Sequence, residues 1–380
     1  MKIVLSGVET KNKGAELMLY SILQEIERRF PDSKVYIPYN RIKQGLGYIK
    51  TSLDLKYTPY SYFVFKSHIQ GLFRRLKLPS DWLYSFNFVK GADWFLDGSG
   101  FAFSDQWDIS NQRLRMWEVM LSKLYKQGCK IVFLPQAFGP VEKPNTKRAL
   151  NIISNYASVI MPREKVSYNY LIQSGVVNMY KVKLFSDFTS LVEGRFPKKY
   201  EHLRDGICVI PNLRMIDRGK ISFDNYIHLL SAIITEGKDS NRPVYLLNHE
   251  GPKDADLCMK CKETIGGDIE IVTNLNALEV KGLIASAYIV VTSRFHGLAS
   301  ALNCCVPCLA TSWSHKYEEL YKDYGLDSYV LPLDNIEGAV SQVRELLAEQ
   351  ENKRIRLHLN RMIPQIMVQT REMWNYIWNL

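Results

Sequence analysis

A chain of 380 residues, 46% hydrophobic and 23% charged, is too long for one ordinary core and too apolar to stay disordered. Its formal net charge of +10 points to anionic partners: a phosphorylated metabolite, a lipid diphosphate or an anionic membrane face. No motif of a nucleic-acid reader, no apolar run of the ~18 residues that a membrane span needs, and no solenoid repeat is present, so nucleic acid is not an expected partner. The seven cysteines are odd in number and scattered, which argues for a reducing compartment and against a disulfide framework.

The chain opens with Met1-Lys2-Ile3-Val4-Leu5-Ser6-Gly7. This apolar run is too short for a signal peptide and reads as a first strand over 2–5, so a cytoplasmic location is expected. Leu17, Leu19, Ile22, Leu23 and Ile26 recur at helical spacing and predict a helix over 14–29. Further short β-branched runs predict strands at 34–37, 94–96, 130–134, 159–161 and 182–184. The segment 193–205 is polar, charged and contains Pro197, and is taken as a domain boundary. The pattern then restarts, with strands at 206–210, 244–247, 269–272, 288–291 and 306–310 alternating with helices at 223–236, 254–265, 277–285 and 295–303. Strands alternating with helices predict an α/β fold of two Rossmann-like, doubly wound domains facing a cleft, with ligands outside the carboxyl ends of the strands. The expected domains are 1–192 and 206–336, followed by helices over 337–380 that are free to cross back onto the first domain.

One stretch departs from this pattern. From Arg41 to Lys90 there are nine Lys or Arg against the two acids Asp54 and Asp81, interleaved with aromatic residues. Residues 65–78 could form a basic amphipathic helix. Two readings stay open: an inserted hairpin with a solvated basic face, or a peripheral contact with the inner membrane face.

Four loops after strands carry more chemistry than a connector needs. In the first, Asn12-Lys13-Gly14-Ala15-Glu16, Gly14 opens a helix whose N-terminus suits an anion, while Asn12 could equally cap it and Glu16 complement its dipole. In the second, Asp97-Gly98-Ser99-Gly100, Asp97 ends a strand and Gly98 and Gly100 permit close approach of the backbone. The third holds Arg163, whose guanidinium fork fits a phosphate or carboxylate, or else a neighbouring acid. The fourth, Thr292-Ser293-Arg294-Phe295-His296-Gly297, is the strongest signal: Ser293 can cap the following helix, and Arg294 and His296 stand beside its N-terminus. A zinc site from Cys258-x-x-Cys261 and Cys305-x-x-Cys308 is disfavoured by the 43 residues between the pairs, so no metal is expected.

Taken in order, these loops resemble the polysaccharide pyruvyl transferase family. Pro135-Gln136-Ala137-Phe138-Gly139-Pro140, Asp187-Phe188, His249 with the acids after it, and Val306-Pro307 with Ser314-His315-Lys316 add to the resemblance. It implies a GT-B-like fold, phosphoenolpyruvate as donor and a sugar as acceptor, either free or lipid-linked, in polysaccharide or exopolysaccharide synthesis, with no cofactor. It further implies that Arg163, Arg294 and His296 hold the donor. On that footing His296 assists phosphate departure or proton transfer, Asp97 or Glu16 deprotonates the acceptor, and His249 is a further candidate. The first loop departs from the family pattern, since Ala15-Glu16 follows Gly14 where an Asp is usual. Two alternatives are a GT-B glycosyltransferase using a nucleotide-sugar donor, with Glu318 or Glu319 on the ribose, and a non-enzymatic scaffold.

Overall fold

Runs that are apolar on both faces become parallel strands, because such strands need cover on both sides. The computed structural model describes residues 1–38, 57–60, 63–64, 84–85, 89–266, 268–326 and 329–380. The proposed helix over 65–78 and most of the basic aromatic stretch lie outside these residues. The chain divides into two units: Met1–Thr10, Met18–Asp187 and Glu372–Leu380 form the first, and Lys11–Leu17 and Phe188–Arg371 the second.

The first unit is built from β1 (Lys2–Ser6), α1 (Lys13–Arg29, of which the residues up to Leu17 belong to the second unit), β2 (Lys34–Pro38), β3 (Tyr57–Tyr60), β4 (Phe63–Val64), β5 (Tyr84–Ser85), β6 (Trp94–Asp97), α2 (Asn111–Lys126), β7 (Lys130–Gln136), α3 (Pro144–Tyr156), β8 (Val159–Pro162) and α4 (Lys165–Ser174). Its parallel sheet runs β3-β2-β1-β6-β7-β8, and β4 pairs with β5 apart from it. The expected strand at 182–184 is not formed. A short turn at Met179–Lys181 brings Val182 to a single bridge with Ile160, and Lys183 N–H and Phe185 N–H donate to Ile160 O and Pro162 O along the edge of β8, with Leu184 exposed. Phe95, Phe103, Leu121, Ile131, Phe133 and Ile153 make the core on one side of this sheet.

The last residues of the chain belong to the first unit. Trp374 is buried and stacks on Trp378, whose ring meets Phe30 and Trp94 edge-on at 4.9 Å and whose Nε1 donates to Glu25. Replacing Trp374 with Ala should cost about 3–5 kcal/mol of stability, seen as a lower Tm, because it removes a large buried side chain and its packing.

The second unit comprises β9 (Ile207–Ile210), α5 (Arg214–Asp217), α6 (Phe223–Lys238), β10 (Val244–Leu247), α7 (Gly251–Ile265), β11 (Glu270–Val272), α8 (Ala277–Ala285), β12 (Ile289–Thr292), α9 (Phe295–Asn303), β13 (Cys308–Ala310), α10 (Lys316–Asp323), α11 (Ile336–Leu347) and α12 (Glu349–Trp378), the end of which passes into the first unit. Its sheet runs β11-β10-β9-β12-β13, all parallel. The stretch 193–205 belongs to this unit and lies on its surface, with Pro197, Tyr200 and Leu203 buried. Arg195 N–H donates to Leu278 O, and a Cβ at Gly282 would lie 2.3 Å from the Arg195 carbonyl carbon, so only glycine lets α8 approach that backbone.

Both sheets share one strand order: the first strand lies centrally, with its successors running outward on one side and the later strands on the other. Such an order reverses beside the first strand, between β1 and β6 in the first unit and between β9 and β12 in the second. The crevice at this switch point, outside the carboxyl ends, is where doubly wound sheets bind ligands. Asp97 ends β6, and Arg294 follows β12 by one residue beyond Ser293.

Candidate functional site

In the second unit, the switch point gathers residues from four separate segments. The carbonyl oxygen of the Asn12 side chain accepts from the N–H groups of Gly14 (2.9 Å) and Ala15 (3.3 Å), so Asn12 caps α1. Lys13 N–H donates to His249 O, and Asn12 bridges Glu250, which ties the start of α1 to the segment after β10. Gly14 then meets the His296 ring at close range: an added Cβ would lie 2.2 Å from Nδ1. Glu16 is buried and ion-paired with Lys13 at 2.7 Å, while Ala277 N–H of α8 also bonds its carboxylate. Burial raises the Glu16 carboxyl, an effect that Lys13 only partly offsets.

Arg294 is the N-cap residue of α9, and its side chain lies against two carboxylates. NH2 pairs with Asp254 and NH1 with Glu250. Burial alone would lower the guanidinium, but these two acids hold it charged. Beneath it lies a chain of hydroxyls. Ser293 Oγ is bonded to Tyr226 OH at 2.6 Å and to Thr311 Oγ1 at 2.5 Å, and Ser293 O accepts from Asn212 Nδ2 and Tyr317 OH. Asn212 N–H in turn donates to Tyr226 OH. Ser293 is thus fixed from both its hydroxyl and its carbonyl, and its place in the site is to hold the backbone that carries Arg294.

His249 is 3% exposed, and its Nδ1 finds no hydrogen-bond partner among the described residues. Burial, and then the charges of Arg294, His296 and Lys13, push it well below the usual 6.5, so it is neutral near pH 7. An unfolded histidine titrates near 6.5, so unfolding takes up a proton as the pH falls past that value. The stability that the neutral form contributes is complete above pH 6.5 and is lost below it, by up to about 1.4 kcal/mol per pH unit. His249→Asn should flatten that acid limb in a series of Tm measurements; an unchanged slope would remove His249 as its origin.

The sequence did not single out Lys13, Asp254, Tyr226 and Thr311 as site residues. Lys13 lies in the first loop and Asp254 among the acids after His249, with no part of their own in that reading, and Tyr226 sits within α6 as a core residue would. Lys316 is a further cation here: it is buried at the start of α10, with its ammonium 3.9 Å from the Trp313 ring centroid. The cysteine pairs hold packing thiols. Cys258 and Cys261 are buried on α7, and burial pushes the thiols of Cys208 and Cys261 up to about 12.

The first unit brings Asp97, Gly98, Gly100 and Arg163 to the carboxyl ends of β6 and β8. Asp97 Oδ1 accepts from Ser99 N–H at 3.1 Å, forming a local turn. Gly98 serves packing: a Cβ there would fall 2.8 Å from Val8 and 3.0 Å from Ile22. Gly100 O accepts from Ala137 N–H, joining this loop to the one after β7. Arg163 is buried, with Nε 3.4 Å from Glu164 and NH1 3.8 Å from Asp187. Glu164 also accepts from the hydroxyl of Ser167, whose Oγ in turn accepts from Phe138 N–H at 2.7 Å.

The family model for polysaccharide pyruvyl transferase matches residues 12–315, which takes in the loops of both units. The chain belongs to that family. No curated protein matches it. Solved structures are similar at the level of fold. Anabaena HepE in complex with UDP is 12% identical over 100% of both chains, with a TM-score of 0.64. The UDP-GlcNAc 2-epimerase of Neisseria meningitidis bound to UDP-GlcNAc is 10% identical over 100% of both chains, at 0.60. A glycosyltransferase of Rickettsia africae is 10% identical over 99% of this chain and 98% of its own, at 0.58. The chain therefore has a GT-B-like fold, and as a member of this family it is an enzyme of polysaccharide synthesis. No helix among its described residues is long and apolar enough to cross a membrane.

Proposed function

We propose that the chain transfers pyruvate from phosphoenolpyruvate to two hydroxyls of a sugar, forming a ketal and releasing phosphate. The observation that carries this reading is the gathering of Arg294, His296, Lys13 and neutral His249 at the second unit's switch point, within a chain of this family. The donor carries a phosphate and a carboxylate on one carbon. A buried guanidinium fork and helix N-terminal N–H groups are the donors such an anion calls for.

A proton is added to the methylene carbon, and the first sugar hydroxyl, losing its own proton, bonds to the carbon bearing phosphate. The second hydroxyl then displaces phosphate from that carbon and gives up its proton, leaving a methyl group, a carboxylate and two sugar oxygens there. His296, beside the Arg294 anion seat, is suited to deliver a proton to the methylene or to the leaving phosphate. For Asp97 as the base and Arg163 as a donor cation, the support is the family resemblance; for Glu16, its pairing with Lys13 favours a structural part. The acceptor is taken to be a sugar of a polysaccharide or of its precursor.

Calorimetric titration of the purified protein with phosphoenolpyruvate, beside UDP-sugars, tests the donor. Saturable heat with phosphoenolpyruvate, together with phosphate release in the presence of acceptor, is the expected result. Binding of a UDP-sugar without phosphoenolpyruvate would replace this reading with a nucleotide-sugar transferase of the same fold.

A further inference from the structure

The two carboxylates on Arg294 are not equivalent. Asp254 is almost wholly enclosed, with its side chain 2% exposed, and it also accepts Leu213 N–H at 3.3 Å. It is part of the floor. Glu250 has its side chain 31% exposed. It occupies the N-cap position of α7, yet its side chain makes no capping hydrogen bond there. Among the described residues its carboxylate has Arg294 NH1 as its hydrogen-bond partner. Its backbone is held by the bridge to Asn12, so the side chain can turn toward solvent without disturbing the loop.

A carboxylate on the more open arm of a buried guanidinium occupies the place that an anionic ligand needs. We propose that Glu250 is an internal stand-in for the incoming anion: it holds Arg294 charged and oriented before the anion arrives, and it must leave NH1 before phosphate or carboxylate can bind there. Asp254 stays on NH2 throughout. Glu250 thereby sets how tightly the donor is held, and it gives the NH1 arm of the buried guanidinium a partner again when the product departs. This inference rests on the reading of the site as an anion seat.

The test uses the whole chain, with inorganic phosphate and phosphoenolpyruvate as separate probes in calorimetry. Glu250→Gln keeps the length of the side chain and removes the competing charge. Its affinity for both anions should rise roughly five- to tenfold, the scale of one partly exposed charge-assisted contact. Asp256→Asn, the same charge change at an exposed position on α7, should leave affinity as it is. Unchanged or weaker binding in Glu250→Gln overturns the proposal. So does an equal gain in Asp256→Asn, which would make the effect one of overall charge. Tighter phosphate with no phosphoenolpyruvate binding in either protein keeps Glu250 as the competitor and overturns the pyruvyl donor instead. No anion bound by either protein overturns both.

Discussion

Arg294→Ala is expected to abolish phosphoenolpyruvate binding and to destabilise the second unit by about 3–5 kcal/mol, the range measured when one partner of a buried ion pair is removed. The two effects have one origin. Arg294 is the shared partner of Asp254 and Glu250, and without it Asp254 is left as a buried carboxylate. Folding loss alone would also stop binding, so a second variant separates the two. In Arg294→Ala/Asp254→Ala neither half of the deep pair remains, and much of the stability should return while binding stays lost. Arg294→Lys keeps the charge but not the planar fork, and should bind the donor far more weakly than wild type with a smaller loss of Tm. Donor affinity that survives in the double variant would remove Arg294 from the anion seat.

Gly14→Ala is expected to lower kcat about a hundredfold, the effect that a displacement near 1 Å has on a positioned catalytic group. The missing side chain of Gly14 is what lets the His296 ring lie over the first turn of α1. A methyl group there would stand 2.2 Å from Nδ1, 2.7 Å from Cγ and 3.0 Å from Cβ of His296, too close for any atom of the ring base to stay in place. His296 lies in the first turn of α9, so its backbone cannot retreat and the ring must swing away. A double-mutant cycle decides whether the loss runs through the imidazole. In a His296→Ala background the same Gly14→Ala change should cost little. A full hundredfold loss in that background would mean that Gly14 acts through something other than the histidine.

Much of the fold was legible because a parallel strand buried on both faces leaves a continuous apolar run. The expected strand at 244–247 and the helices at 277–285 and 295–303 coincide with β10, α8 and α9. The run at 182–184 has the composition of a strand and does lie along β8, with Lys183 N–H and Phe185 N–H donating to it, but it makes one bridge only and no regular ladder. Arg294 and His296 were visible for a local reason: a strand, a cation, a histidine and a helix of small residues stand consecutively in the sequence. The partners of Arg294 were not visible. Glu250 and Asp254 lie some forty residues earlier, and only the lateral order of β9, β10 and β12 brings their loop to that cation. The hydroxyls of Tyr226 and Thr311 were hidden for the same reason, since each resembles an ordinary core residue until the fold places it against Ser293.

The second unit is assembled from two stretches of chain separated by the whole of 18–187. A single genetic crossover between two relatives, placed anywhere from residue 18 to 187, would pair the 11–17 segment of one parent with the Arg294–His296 loop of the other, and would bring a foreign Gly14 turn against the histidine. An exchange bounded near 18 and 187 moves most of the first unit as a cassette and leaves the second unit's pieces matched; only Met1–Thr10 and Glu372–Leu380 of the first unit stay behind. Chimaeras of the second kind, made between relatives that act on different polysaccharides, are the ones in which the anion seat should be inherited intact.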